Sequence, residues 1–208
     1  MAYPTVSAPY GLQPINRFDG MPYAGATQQL PIASTYNTAI YNGDVVLVNG
    51  GTIKKSAVTS DSTTDKANNA TYGVFMGVQY VNTQGQTVQA QYYPGNAAAT
   101  SAVAYVVMDP AAEFKVAVTY SGNSTISSAN ASAVGVNLAV IQGTGSTITG
   151  DSGVSVAAPA SGLGNAAALP VRVVKVVPET ASSAGNYTEV VVKFNNPQVL
   201  LAAGNDYL

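Results

Sequence analysis

Short segments rich in Val, Ile, Thr and Tyr, each ended by Gly, Asn, Asp or Pro, recur along this chain and limit it to a β fold. Val, Ile, Thr and Tyr favour strands, whereas Gly, Asn, Asp and Pro favour turns. Apolar and polar residues alternate from Glu113 to Val118, whereas the pair Val173-Val174 interrupts another segment and predicts a β-bulge. Helical periodicity is weak, with one candidate at 127–134. The predicted strands are 28–33, 44–48, 72–80, 87–92, 103–108, 113–119, 136–141, 171–177 and 188–194.

The spacing of these strands predicts an all-β fold, an antiparallel β-sandwich or barrel, over residues 27–194. Turn signals at Asn42-Gly43 and Asn49-Gly50-Gly51 flank the strand at 44–48. No alternation of strands with helices is present, which argues against a doubly wound fold. Small polar residues predict long loops at 56–71 and 142–169. In an assembly such loops would be contacts between subunits or exposed tips; the alternative is a flexible loop without function, and it is the favoured interpretation for 56–71.

Both ends of the chain are predicted to be arms. Prolines at positions 4, 9, 14 and 22 predict an extended N-terminal arm over 1–26, and residues 195–208 a shorter C-terminal arm. The N-terminal arm either docks on a neighbouring subunit or lies across its own β domain, and the sequence leaves both open. The apolar and aromatic residues expected at a capsid or subunit interface are Tyr3, Tyr10, Leu12, Ile15, Phe18, Tyr23, Val199, Leu200 and Leu201.

The composition argues against the common catalytic and metal chemistries. The chain has no Cys, His or Trp, so thiolates, disulfides and imidazole bases are excluded. Asp61 and Asp65, like Asp109 and Glu113, are four residues apart but lack the register of a calcium loop. We therefore expect no enzyme, no cofactor and no metal site. A β-rich hydrolase that uses two of the ten acidic residues remains an open alternative.

Charge limits the partners. Charged residues make up 9% of the chain, the net charge is −2, and the eight basic residues are scattered along the sequence. Direct binding of nucleic acid needs a basic face, so it is not expected. No apolar run reaches the ~20 residues of a membrane span, and the N-terminus lacks the pattern of a signal peptide. The sequence predicts a protein made in a cytoplasm that does not bind membranes.

Several segments resemble virion structural proteins of marine tailed phages. They are Ala8-Pro9-Tyr10-Gly11-Leu12-Gln13-Pro14, Tyr23-Ala24-Gly25-Ala26-Thr27, Leu30-Pro31-Ile32-Ala33-Ser34, Tyr41-Asn42-Gly43-Asp44-Val45-Val46, Gly73-Val74-Phe75-Met76-Gly77-Val78, Gln91-Tyr92-Tyr93-Pro94, Ala104-Tyr105-Val106 with Asp109-Pro110, Leu169-Pro170-Val171-Arg172-Val173 and Val190-Val191-Val192-Lys193-Phe194-Asn195.

The resemblance implies a capsid decoration, or cement, protein. Proteins of this kind bind the outer surface of the capsid, often as homotrimers, and hold capsomers of the major capsid protein together. It implies synthesis in the cytoplasm of a bacterial host and supplies no catalytic residue. A host-binding adhesin or tail-fibre component, with tyrosines and polar loops on a surface glycan, is the alternative.

Overall fold

A computed structural model describes residues 7–56, 71–96, 99–119, 129, 131–157, 169–180 and 187–195 of the chain. Within them the fold is all-β, and single turns of 3₁₀-helix lie at Ala131–Ala133 and Pro178–Thr180. The strands are β1 (Gln13–Arg17), β2 (Gln28–Pro31), β3 (Val45–Asn49), β4 (Thr52–Lys55), β5 (Thr71–Asn82), β6 (Thr87–Ala90), β7 (Ala99–Val107), β8 (Ala112–Thr119), β9 (Asn137–Leu138), β10 (Val140–Ile141), β11 (Ser155–Ala157), β12 (Val171–Val176) and β13 (Glu189–Phe194).

One sheet, here called the barrel sheet, has the order β2-β7-β5-β3-β4, with β6 also paired to β5. All its strand pairs are antiparallel. A parallel bridge between Ile32 and Ile53 brings the end of β2 to β4, so the sheet is nearly closed. Its interior is filled by buried side chains that include Ile40, Phe75 and Tyr93.

The other sheet, here called the open sheet, has the order β10-β11-β8-β13-β12-β9. Strand β1 pairs with the first half of β8, on the edge that β11 occupies further along. The β11–β8 pair is parallel, which departs from the predicted antiparallel arrangement. Strand β10 pairs with the other edge of β11 in the antiparallel sense.

The main core lies between the sheets. Phe114, Val116 and Val118 of β8 face it, and so do Val45 and Leu47 of β3. Val46, between the last two, points into the barrel instead. Because strand side chains alternate, β3 is buried on both faces and reads as a continuous apolar run.

All nine predicted segments contain a strand, and the all-β prediction is confirmed. The predicted bulge in β12 is confirmed by a register shift between Val173 and Lys175. The turn predicted at Asn49-Gly50-Gly51 is confirmed: Gly50 and Gly51, with φ of 58° and 77°, connect β3 to β4 in a hairpin that was not predicted.

Three strands were not predicted, and two predictions need correction. Strands β1, β4 and β11 were missed, and β11 falls inside the predicted loop at 142–169, whose first part is a hydrogen-bonded turn. The described part of the predicted helix at 127–134 holds one 3₁₀ turn, of which only Ala133 is buried, so this stretch lacks the apolar face that would hold an α-helix on the domain. The predicted loop at 56–71 and the C-terminal arm lie almost wholly outside the described residues.

Residues 9–17, together with Tyr23, lie against the chain's own domain, the second of the two arrangements that the sequence left open. Leu12 is completely buried in the main core, and β1 continues the open sheet. Gly11 permits this course, because its φ of 85° turns the chain where a Cβ would lie 2.7 Å from the Gly43 carbonyl oxygen.

We expect Leu12→Ala to lower the free energy of unfolding by about 2–5 kcal/mol, because it leaves a cavity in the main core. Ile148→Ala is the matched control, since that side chain is 95% exposed, and it should change stability by less than about 0.5 kcal/mol. Urea denaturation of both variants checks this. Equal, small effects would contradict the docking of the N-terminal segment.

Candidate interaction surface

The face of the open sheet that points away from the barrel sheet carries a group of cations. Arg172, Lys175 and Lys193, here called the basic face, all point outward, because their neighbours Val171, Val173, Val176, Val190 and Val192 point into the core. Arg172 and Lys193 are directly opposite each other in the β12–β13 ladder. Within the part of the chain that the structure describes, none of the three belongs to a salt bridge.

An apolar tip adjoins the basic face. Phe18 and Met21, 60% and 59% exposed, lie on the turn after β1, which the Met21 carbonyl closes by accepting a hydrogen bond from the Arg17 amide. Lys193 Nζ lies 4.2 Å from the centroid of the Phe18 ring. Phe18 and Met21, here called the apolar tip, thus extend the basic face with two large exposed side chains.

Tyr10 closes the other end of the same face over a buried carboxylate. Its hydroxyl donates to Glu189 Oε1 at 2.5 Å, and Lys115 Nζ lies 3.1 Å from the same oxygen. Glu189 is only 4% exposed, and its backbone amide donates to the buried Thr180 hydroxyl. Burial and the hydrogen bond to Glu189 raise the pKa of Tyr10 well above its ordinary value. The charge of Lys115 is therefore paired with Glu189, whereas the three cations of the basic face belong to no salt bridge in the described residues.

The structure separates the predicted interface residues into three groups. Leu12 is a core residue, and Tyr10, Ile15 and Tyr23 are partly buried against the chain's own domain. Phe18 is open to a partner and lies beside the basic face. Tyr3, Val199, Leu200 and Leu201 lie outside the described residues.

The basic face and Met21 were missed by sequence reasoning. The three cations are far apart or out of phase along the chain, and strand register brings them onto one face. A count of charged residues on the alternate positions of β12 and β13 would have found the pair Arg172 and Lys193.

Asp44, which directly follows the turn signal Asn42-Gly43, is a fully buried carboxylate. It accepts hydrogen bonds from the Tyr41 amide (2.9 Å) and the Ser152 hydroxyl (2.5 Å), and Lys55 Nζ lies 3.0 Å away. Ser152 is itself buried, and its hydroxyl oxygen accepts a hydrogen bond from the Val154 amide. All these contacts are internal, so the cluster holds the fold together and offers no opening to a substrate.

A shallow hollow of about 380 Å³ lies on the outer side of the barrel sheet. Neutral polar side chains line it, among them Gln29, Gln79, Thr87 and Ser101. Ser101 has a φ of 49°, an uncommon conformation for a residue other than glycine. The hollow offers amide and hydroxyl groups without a charge, which suits a neutral polar ligand.

Carboxylates do not gather into a metal site within the described residues, where no group of three or more Asp, Glu, His or Cys is found. Asp109 instead pairs with Arg17 at 3.0 Å and accepts a hydrogen bond from the Ala111 amide. Asp61 and Asp65 lie outside the described residues.

Comparison of the chain with protein-family models, curated proteins and solved structures finds no match. In the described segments, no helix has the length and apolar character needed to cross a membrane.

Tyr10→Phe should lower the free energy of unfolding by about 1.5–3 kcal/mol at neutral pH, because Glu189 loses a hydrogen bond. This loss should shrink above about pH 10. Below that pH Tyr10 is protonated both folded and unfolded; above it the unfolded chain ionises first, so the stabilisation by Tyr10 fades as pH rises.

Urea denaturation of both proteins across this pH range measures the difference. Tyr92→Phe is the matched control for loss of a hydroxyl, since its ring stacks on Tyr41 and can still do so. It should cost less than Tyr10→Phe at neutral pH. A Tyr10→Phe deficit that stays constant up to pH 11 would argue against the bond to Glu189.

Proposed function

We propose that this chain is a non-enzymatic structural protein of a tailed-phage virion, which binds the outer surface of the head and stabilises contacts between capsomers of the major capsid protein. The observation that carries the proposal is the basic face beside the apolar tip, an exposed binding surface on a stiff β body. The resemblance of the sequence to virion proteins supports the choice of partner. The protein would act as a homotrimer, a closed arrangement that suits a symmetric shell.

The basic face costs stability in the isolated chain. Like charges directly opposite in an antiparallel pair repel each other, and Arg172 and Lys193 stand in that position. A partner surface rich in Asp and Glu would relieve this repulsion. The apolar tip would add the desolvated contact that a charged rim alone does not supply.

The low overall charge supports assembly rather than catalysis. With 9% charged residues and a net charge of −2, copies repel one another little. The ion pairs Asp44–Lys55 and Glu189–Lys115 are used inside the fold. The cations of the basic face belong to no salt bridge within the described residues and are therefore available to a partner.

Reversing two cations tests the proposed binding surface. Arg172→Glu with Lys193→Glu should weaken binding to particles stripped of this protein by about tenfold or more, because like charges would then meet across the interface. Sedimentation of particles with purified chain measures binding. Wild-type binding should also weaken as salt is raised, and particles that have rebound the protein should resist heat better.

Lys54→Glu is the matched control, since Lys54 is an exposed cation on the barrel sheet and its reversal should leave binding unchanged. Circular dichroism confirms that each variant is folded. Wild-type protein that fails to bind stripped particles would refute the decoration function, whereas binding unaffected by the double reversal would refute the surface.

The hollow on the barrel sheet favours a second candidate function, a host-surface adhesin. Its glutamine, serine and threonine side chains suit a neutral glycan, and the Tyr105 hydroxyl donates to Gln79 Oε1 at 3.4 Å, which holds that amide at the rim.

Isolated protein would then bind cell-surface oligosaccharides on a glycan array, and Gln79→Ala should abolish the signal. Gln84→Ala, an exposed position in the β5–β6 turn, should not. An array without signal would reject the adhesin.

A further inference from the structure

The N-terminal segment, residues 7–17, fills a site formed by later parts of the chain. Strand β1 pairs with β8, and the amides of Gly11 and Leu12 donate to the carbonyls of Val154 and Gly43. Leu12 completes the main core, and Tyr10 covers Glu189. The segment is therefore bound as a peptide would be in β-strand addition, by main-chain hydrogen bonds and side-chain anchors.

Removing the N-terminal segment from this site would destabilise the domain. The edge of β8 would lose its partner, the place of Leu12 would be a cavity, and the carboxylate of Glu189 would keep Lys115 but lose Tyr10. A buried charge that loses a hydrogen-bond donor destabilises the fold. Each domain therefore requires an occupant with the sequence of this segment.

The connection from β1 to β2 contributes little to the domain. Residues 18–27 are exposed apart from Tyr23, which is partly buried, and Gly20 and Gly25 have φ of 83° and 78°. Ten residues can span at most roughly 33–36 Å when extended. Opening this connection would cost the contact that Tyr23 makes with the main core, whereas its other residues are exposed and lie outside both cores.

We propose that assembled copies of this chain exchange their N-terminal segments, so that β1 of one copy pairs with β8 of the next. The same contacts form in either arrangement, which makes exchange a low-cost route to self-association. Copies held side by side would meet at high effective concentration. This inference rests on the proposed assembly function and names the segment that links the copies.

The absence of native cysteine makes the test direct. Asn16 and Glu113 are partners in the β1–β8 register. A tagged chain with Asn16→Cys and an untagged chain with Glu113→Cys are refolded together, bound to stripped particles and mildly oxidised. Exchange predicts a covalent heterodimer on a non-reducing gel. Gln13→Cys with Lys115→Cys, a second register pair, is run in parallel so that the result does not rest on one pair.

A matched control uses a pair that exchange would not separate. Arg172 and Lys193 are opposite each other in β12–β13, so chains with Arg172→Cys and Lys193→Cys should give no heterodimer when mixed. Double variants that carry both cysteines of a β1–β8 pair in one chain show whether a disulfide can form at that pair. Bands within single chains only, with none between mixed chains, would overturn the exchange.

The two proposals fail separately. Particles that bind the mixed chains without any disulfide between chains leave the decoration function standing and reject the exchange. Failure of the chains to bind particles rejects the decoration function, whatever the gel shows.

Discussion

The buried carboxylate of Asp44 is the contact on which the rest of the fold depends. It lies at the entry to β3, accepts hydrogen bonds from Tyr41 and Ser152, and pairs with Lys55 of β4. Through Ser152 it ties the segment that leads into β11, and hence the open sheet, to the barrel sheet. Removing one partner would leave an uncompensated charge in the interior, which costs several kcal/mol, about 3–5 in comparable buried pairs.

Packing on both faces of β3 explains the composition. Its side chains alternate between the barrel interior and the main core, so the strand leaves no face for solvent. A fold with two cores needs many small apolar residues and tolerates few charges, since each buried charge needs a partner. The chain accordingly has valine and alanine in its strands and neutral polar residues elsewhere. The low charge that suggested assembly is thus also required by the architecture.

Strand periodicity could predict nine segments, which cover ten of the thirteen strands in the described residues, and the bulge in β12, because these follow from residues adjacent in the chain. Strands β1, β4 and β11 could not be predicted in the same way. β1 contains Pro14, and β11 is a short piece in a stretch of small residues, so partners distant in sequence decide both. The basic face depends on register between β12 and β13, which residue types alone do not determine. Asp44 follows Asn42-Gly43, and only its burial distinguishes a structural carboxylate from an ordinary turn residue.

The N-terminal segment connects stability with recognition. Leu12 completes the core, and a few residues later Phe18 places its ring beside Lys193 of the basic face. Undocking of β1 would therefore remove the apolar tip from the surface at the same moment as it opens the core. If another copy supplies the segment, as we propose, the apolar tip beside each basic face comes from the neighbouring copy instead of the same chain. A partner that binds this composite surface would stabilise the docked state of the segment by mass action, whichever copy supplies it.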